Sequence, residues 1–500
     1  MHLFWKIVMA GALALQLSAG RCLAADAGVL EAGAARVEIT PDASALPRPY
    51  TSIHDSLYAR AIYLDSGHDR AVLLNADVGG IANAIADKVA TEISRELGIP
   101  EANILISATH DHSAIFGGPR PPGPAVPGNA ANSPTEAFMN RLESGLVQAA
   151  RTARDRMQPA RIGYGTGALY LNVNRDAIDE QTRLWSQEPN LDAPSDKTLA
   201  VIKIESLNGD LIAIYINYAM HANSLFLDGM VSGDFPGEAE RYIERTYNDK
   251  PVALWTSGAA GDQNPLYLRA NGKISEARIH AVMDVEHVDL GTAIMHAMFA
   301  GDPEADKIPI DPIAMEQSLE LVKSEGQFTA EEALRVMSNI RVMTSDVKIE
   351  GLQHELTCPA RRRLDSGREG APGKYEDSSD PVRFKIGALR IGDIVLGSAN
   401  AELYNMIGQK IKSGSKFRDT IMVTLTNGMA NSGYVPTDDA FGRYTFQVLS
   451  SALKPGCAEQ GIVGGVDQMI DKIELTSPAG FVYCCRDDNQ ELIAMIFVFC

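Results

Sequence analysis

The stretch Ile104–Ser113, ILISATHDHS, constrains this chain more than any other. It opens as a short apolar run of strand type and stops at His110-Asp111-His112. A strand buried on both faces reads as such a run, and open α/β sheets bind their ligands just beyond the carboxyl ends of their strands. Imidazole is the commonest metal-ligating side chain and suits zinc well. On a regular strand, residues two apart point to one face, so His110 and His112 are expected to face a common site. The plainer reading of the tripeptide alone is a solvated polar turn.

The flanking sequence supplies the rest of an α/β pattern. Arg36–Thr40, Leu57–Leu64 and Ala71–Leu74 read as strands, the last running into Asp77. Ala82–Leu97 has helical periodicity, with Gly98 as its stop and Pro100 just beyond. Gly117–Pro134, rich in Gly and Pro, reads as a long loop beside the candidate site, a rim or lid by position. Thr135–Met157 reads as a helix, and Asn172-Val173-Asn174-Arg175 as a polar turn after a strand. Val201–Glu205 and Leu211–Tyr218 form a hairpin about Asn208-Gly209, and the second strand leads to His221. Asp234 is expected as an N-cap with Pro236 in the first turn. Val252–Thr256 reads as a strand ending in Ser257–Pro265. Residues 311–342 read as an amphipathic helix, and 360–381 as a charged, exposed connection. Phe384–Leu396 turns at Gly392-Asp393 and leads to Glu402, where a helix is expected to begin. Thr420–Thr426 is a strand followed by Asn427–Tyr434. The fold class expected is α/β: mixed β-sheets flanked by helices in a single large catalytic domain.

Composition removes some functions. Hydrophobic residues make up 45% and charged residues 22%, as in ordinary globular proteins. The formal net charge of −19 argues against nucleic acid as a partner, because phosphate binding needs a basic surface. Residues 1–25 carry Lys6, the apolar stretch Ile7–Leu17 and small residues at Ala24-Ala25, the pattern of a cleaved signal peptide. The protein is therefore expected to be secreted or periplasmic. The catalytic domain would span 26–475, with 476–500 an atypical tail. Cys358, Cys457, Cys484, Cys485 and Cys500 lack CxxC spacing, so they are read as thiols of which some form one or two disulfides.

Several apolar strands end in Asp77, His110 and His112, His221, Asp262, Glu402 or Tyr434. Two His-bearing strand ends and a glutamate at a third make up a set that satisfies zinc while leaving room for water or substrate. Taken singly, His221 is a satisfied core histidine and Glu402 a first-turn acid favoured by a helix dipole.

In these residues the chain resembles the neutral/alkaline (non-lysosomal) ceramidases and their shorter bacterial relatives. The resemblance rests on ARVEITPD (Ala35–Asp42), ATHDHS (Ala108–Ser113), Asn174-Arg175, YAMHAN (Tyr218–Asn223), GDFPG (Gly233–Gly237), GDQNP (Gly261–Pro265), Asn400–Glu402 and NGMANSGYVPT (Asn427–Thr437). It implies a zinc-dependent amide hydrolase acting on ceramide, with one zinc per chain held by His110, His221, Glu402 and Tyr434. It places His112 and Arg175 against the substrate and matches Tyr444 to a second tyrosine. Asp262 and Asn264 complete the catalytic candidates. Asn264 stands where the family carries a serine, and after Ile473 too few residues remain for the family's C-terminal immunoglobulin-like domain. Both departures keep other readings open: the same fold acting on another amide, an ester or a sugar derivative, or a non-catalytic lipid-binding relative. The partners expected are a small-molecule or lipid amide and, with a lipid substrate, peripheral contact with membrane lipid.

Overall fold

Apolar strand residues alternate between two cores, and that alternation builds the layers. Ala61 and Tyr63 pack into one core while Ile62 and Leu64 pack into another, and Val72 and Leu74 part from Leu73 in the same way. In the computed structural model, residues 29–115, 134–288, 290–297, 303–365, 369–475, 485–486 and 492–493 are described. The leader 1–25 and the loop 117–133 lie outside them, as does nearly all of the tail 476–500.

The larger sheet has eight strands. In spatial order they are Val252–Ser257, Leu211–Tyr218, Thr198–Ser206, Gln158–Ala168, Glu31–Glu38, Tyr58–Asp65, Arg70–Ala76 and Ile104–Ala108. The two outermost pairings are parallel and the inner ones antiparallel. A four-stranded sheet follows the order Ile349–Arg363, Tyr375–Ile391, Ile394–Ala399, Asp419–Thr424. The sheets share one apolar core, in which Ile62, Leu73, Ile202 and Leu254 meet Leu389, Ile391, Leu396 and Val423. Helices Asn83–Leu97 and Pro134–Asp155 cover the outer face of the large sheet at one end. Asp234–Thr246 and Pro312–Asn339 cover it at the other. Asn405–Gly414 and Ala458–Leu475 cover the smaller sheet, which completes four layers. The α/β class with mixed sheets and flanking helices holds. The face-to-face stacking of the two sheets was not part of the expectation. No helix among the described residues is long and apolar enough to cross a membrane.

Several local expectations hold closely. Gly98 adopts a left-handed conformation after the helix Asn83–Leu97 and closes it through Ser94 O. Others do not. Of residues 360–381, only the middle is a connection: 360–363 and 375–381 belong to the two arms of a long antiparallel hairpin, because charge on the solvated face of a ribbon resembles a loop in composition. The helix after Glu402 begins only at Asn405, and Glu402-Leu403 pairs instead with Tyr434-Val435 in a short parallel bridge. Asp234 is the first residue of its helix and not its N-cap. Its carboxylate accepts from the amides of Leu225 (2.9 Å) and Phe235 (2.5 Å). Cys358 and Cys457 form a disulfide that ties the hairpin to the start of the last long helix.

Two devices hold the large sheet. Arg60, fully buried, donates to both oxygens of Asp77 (2.9 and 2.8 Å) and lies 2.8 Å from Glu240. Asp77 in turn accepts from the Tyr58 amide at 2.8 Å, which fixes the turn that follows. At the sheet margin, Glu240 and Glu244 on one helix face accept the amides of Trp255 (2.8 Å) and Ala253 (3.2 Å).

Candidate metal centre

The site forms where strands of both sheets end. Thr426 bridges to Ser107, and the Asn427 side chain accepts from the Ile106 amide at 2.8 Å, so the two sheets meet beside His110. The strand itself stops at Ala108, and His110 is left-handed with φ 63°. Strand alternation therefore does not bring the two histidines together; the turn does. His112 Nε2 lies 3.4 Å from His110 Nε2. A parallel bridge between Asp111 and Ala222 sets the second histidine segment alongside.

Second partners fix the rings. His110 Nδ1 donates to Gly79 O at 2.8 Å, in the turn that Asp77 and Arg60 hold. His221 Nδ1 meets Ala260 O at 2.7 Å and Gln263 O at 3.0 Å. Carbonyls only accept, so both Nδ1 atoms carry hydrogens, and in the neutral rings both Nε2 atoms present lone pairs. Those two Nε2 atoms are 3.2 Å apart, and Glu402 Oε2 lies 3.0 Å from the first and 3.2 Å from the second. His110, His112 and His221 form a group able to hold a metal ion, with ligand atoms all within 4.8 Å of one another.

Charge and burial shape the group. Burial lowers the His110 pKa, but Glu402 outweighs it and the net shift is upward. Burial, then the neighbouring His110 and His221, hold His112 well below the ordinary imidazole range. Burial and then Arg175 bring His221 down to about 4. Burial opposes ionisation of Glu402, yet His110 and His221 hold its pKa well below the carboxylate range. Asp111, between the histidines, turns elsewhere. It accepts from the Ser113 amide at 2.8 Å, and its charged neighbours are Asp234, Asp77 and Asp55.

The remaining candidates divide. Arg175 lies in a strand, Asn172–Ile178, not in a turn; Gln263–Pro265 pairs with that strand. Its Nη1 donates to Asn264 Oδ1 at 3.0 Å and its Nη2 to Gly261 O at 2.6 Å. Its guanidinium carbon sits 5.1 Å from the centre of the Tyr434 ring. Tyr434 is buried beside His221 with ring centres 6.2 Å apart, and Arg175 and Glu402 are its charged neighbours. Burial, reinforced by Glu402, pushes its phenol pKa up. Asp262 accepts from Asn174 Nδ2 (2.9 Å) and the Asn405 amide (2.7 Å), and burial brings its pKa up to about 6. It thus clips the strand of Arg175 to the helix that follows Glu402. Gly261 is needed beneath it, because a Cβ there would fall 2.8 Å from Leu403 O and 2.9 Å from Glu402 O.

Tyr444 is not brought to this group. Its carbonyl accepts from the Gly370 amide at 2.9 Å, and its side chain neighbours Arg361 and Tyr375. The second buried tyrosine near Arg175, besides Tyr434, is Tyr404, whose phenol burial pushes well up, reinforced by Asp176 and Asp262. Its place two residues after Glu402 was the signal available in the sequence. Two more wall residues escaped the sequence reading. Phe226 stands edge-on to His112 with ring centres 5.5 Å apart, and Asn223 Nδ2 lies 3.5 Å from Asn264 Oδ1.

Fold and site together define an α/β protein with a histidine-based centre able to hold a metal ion. The sequence profile of the N-terminal region of the neutral/alkaline non-lysosomal ceramidases matches residues 45–361. The chain belongs to that family. Neutral ceramidase B of Dictyostelium discoideum is 29% identical over 208 residues, which cover 40% of this chain and 28% of that protein. Neutral ceramidase of Pseudomonas aeruginosa is 27% identical over 234 residues, 44% of this chain and 34% of that protein. The chain thus matches about a third of the length of these curated relatives. The solved structure of the P. aeruginosa neutral ceramidase shares the fold, with a TM-score of 0.65 at 17% identity, covering 94% of this chain and 78% of that one. A ceramidase complexed with C2 gives 0.64 at 18%, covering 93% and 78%.

Proposed function

We propose that this chain is a zinc-dependent hydrolase of the N-acyl bond of ceramide, yielding a sphingoid base and a fatty acid. The observation that carries the reading is the closed triangle of His110 Nε2, His221 Nε2 and Glu402 Oε2, with sides of 3.2, 3.0 and 3.2 Å. Tetrahedral zinc with bonds of about 2.0–2.1 Å sets its ligand atoms about 3.3–3.4 Å apart. Two imidazole lone pairs and a carboxylate pointed at one another fit such a cation. Tyr434 is the fourth ligand the family resemblance supplies, and it adjoins Glu402 through their paired strands.

When bound, zinc supplies a Lewis acid that activates water and polarises the scissile carbonyl. His112, kept neutral by burial and by its neighbours, accepts a proton at Nδ1, which has no partner among the described residues. Arg175, whose Nε has no partner among the described residues, steadies the developing oxyanion and is held in place by Asn264, Gly261 and the Tyr434 ring. Asp262 and Tyr404 support from behind. Their buried contacts go to Asn174, Asn405 and Thr445.

A second reading keeps the metal and changes the substrate to another amide, an ester or a sugar derivative. Asn264 favours it, because its oxygen is committed to Arg175 where the family carries a serine. Export to an oxidising compartment is part of the proposal, supported by the leader-like residues 1–25 and by the Cys358–Cys457 disulfide. Metal analysis of purified protein, with hydrolysis assays on short-chain ceramides and unrelated amides, tests the whole. Zinc near one per chain with ceramide turnover is expected. Zinc-free protein, or turnover confined to other substrates, would overturn the respective half.

A further inference from the structure

We propose that Asn223 is a specificity-determining residue that accepts a hydrogen bond from the substrate amide N–H, so that the site selects secondary amides over esters. The inference rests on the hydrolase reading and names a discrimination within it.

The argument is one of forced orientations. Guanidinium can only donate, so Arg175 Nη1, 3.0 Å away, obliges Asn264 to present its side-chain oxygen. That oxygen can only accept, so Asn223, 3.5 Å away, turns its Nδ2 toward it. An arginine therefore fixes two amide orientations that electron density alone often leaves ambiguous. What remains is Asn223 Oδ1, an acceptor facing away from Asn264, buried and without a partner among the described residues.

Its surroundings place it at the reacting centre. Asn223 follows His221 by two residues, and Ala222 between them accepts from the His112 amide at 2.8 Å. Asn223 thus lies between the segment of His112 and the strand of Asn264 and Arg175. Arg175 Nε and His112 Nδ1, also buried and without partners among the described residues, belong to side chains of the same site. A buried acceptor with no partner is costly. A substrate that donates N–H relieves that cost and an ester cannot, and sites built to pair a substrate N–H reject analogues that lack it.

The test uses the full chain, zinc-loaded, with three matched substrates: a secondary N-acyl amide, the O-acyl ester of the same acyl group, and the N-methylated amide. Asn223→Ala is expected to lower kcat/KM on the secondary amide by about ten- to a hundredfold while the ester stays within about threefold. Asn223→Ser, which restores an acceptor, should regain part of the loss. Parallel loss on amide and ester, or no loss on either, overturns the proposal. Should Asn223→Ala lose zinc or its melting transition, wild type decides: preference for the N–H amide over its N-methyl analogue supports the proposal, and equal turnover overturns it. Wild type inert on all three substrates overturns the hydrolase reading itself, an outcome visible without any variant.

Discussion

Glu325→Gln should change how stability depends on pH without touching the metal centre. Glu325 sits inside the helix Pro312–Asn339, 1% exposed, and its Oε2 accepts from Ser224 Oγ. Burial, with Asp234 nearby, pushes its pKa from 4.5 up to about 8. The folded protein therefore keeps a proton that the unfolded chain releases near 4.5. The contribution is full below that value. It declines as pH rises toward about 8 and is lost above it. At about 1.4 kcal/mol per pKa unit, the swing is up to ~5 kcal/mol. Glutamine still accepts from Ser224 and never ionises, so the variant should overtake wild type progressively from pH 5 to 8.5. Urea unfolding of both proteins at several pH values measures this as the difference in midpoint multiplied by the slope. Taking the difference between the two proteins cancels the titration of the histidines. Parallel curves across the range would show that Glu325 does not carry the buried proton.

His110→Ala and His221→Ala should each lose bound metal while the far-ultraviolet circular dichroism is retained; full occupancy in both, by elemental analysis, would remove the proposed ligand set. Asn264→Ala takes away one charge-assisted acceptor of Arg175, worth about 1.5–3 kcal/mol, and should lower kcat/KM at least about tenfold with zinc content unchanged. Unchanged turnover would leave Asn264 as a turn residue only. Cys358→Ser with Cys457→Ser opens a crosslink spanning 99 residues and should cost up to ~4–5 kcal/mol, read from urea midpoints of oxidised wild type and variant.

Much of this architecture was legible because local signals and burial agree. The helix Asn83–Leu97 with its left-handed Gly98, and the hairpins turning at Gly209 and Gly392, follow from residues that need those conformations. The convergence of His110, His221 and Glu402 was legible because each follows an apolar strand. What failed is what depends on distant partners. Glu402 resembles a helix-start acid until Tyr434-Val435 pairs with its strand. Arg175 resembles a turn residue until Gln263–Pro265 lies beside it. The left-handed turn at His110 has no glycine to announce it. The sequence points to Tyr444 for the second tyrosine, and only packing puts Tyr404 beside Arg175.

The carboxylates of Glu240 and Glu244 have a consequence for assembly. A sheet margin normally offers open amides to any extended chain that meets it. Here the margin at Val252–Ser257 spends two of its amides on glutamates. The opposite margin, Ile104–Ala108, gives its Ile106 amide to the Asn427 side chain and its Ala108 amide to Leu425 O. Both ends of the eight-stranded sheet are thus plugged from within the same chain. A second copy therefore has little purchase at either of these margins for continuing the eight-stranded sheet.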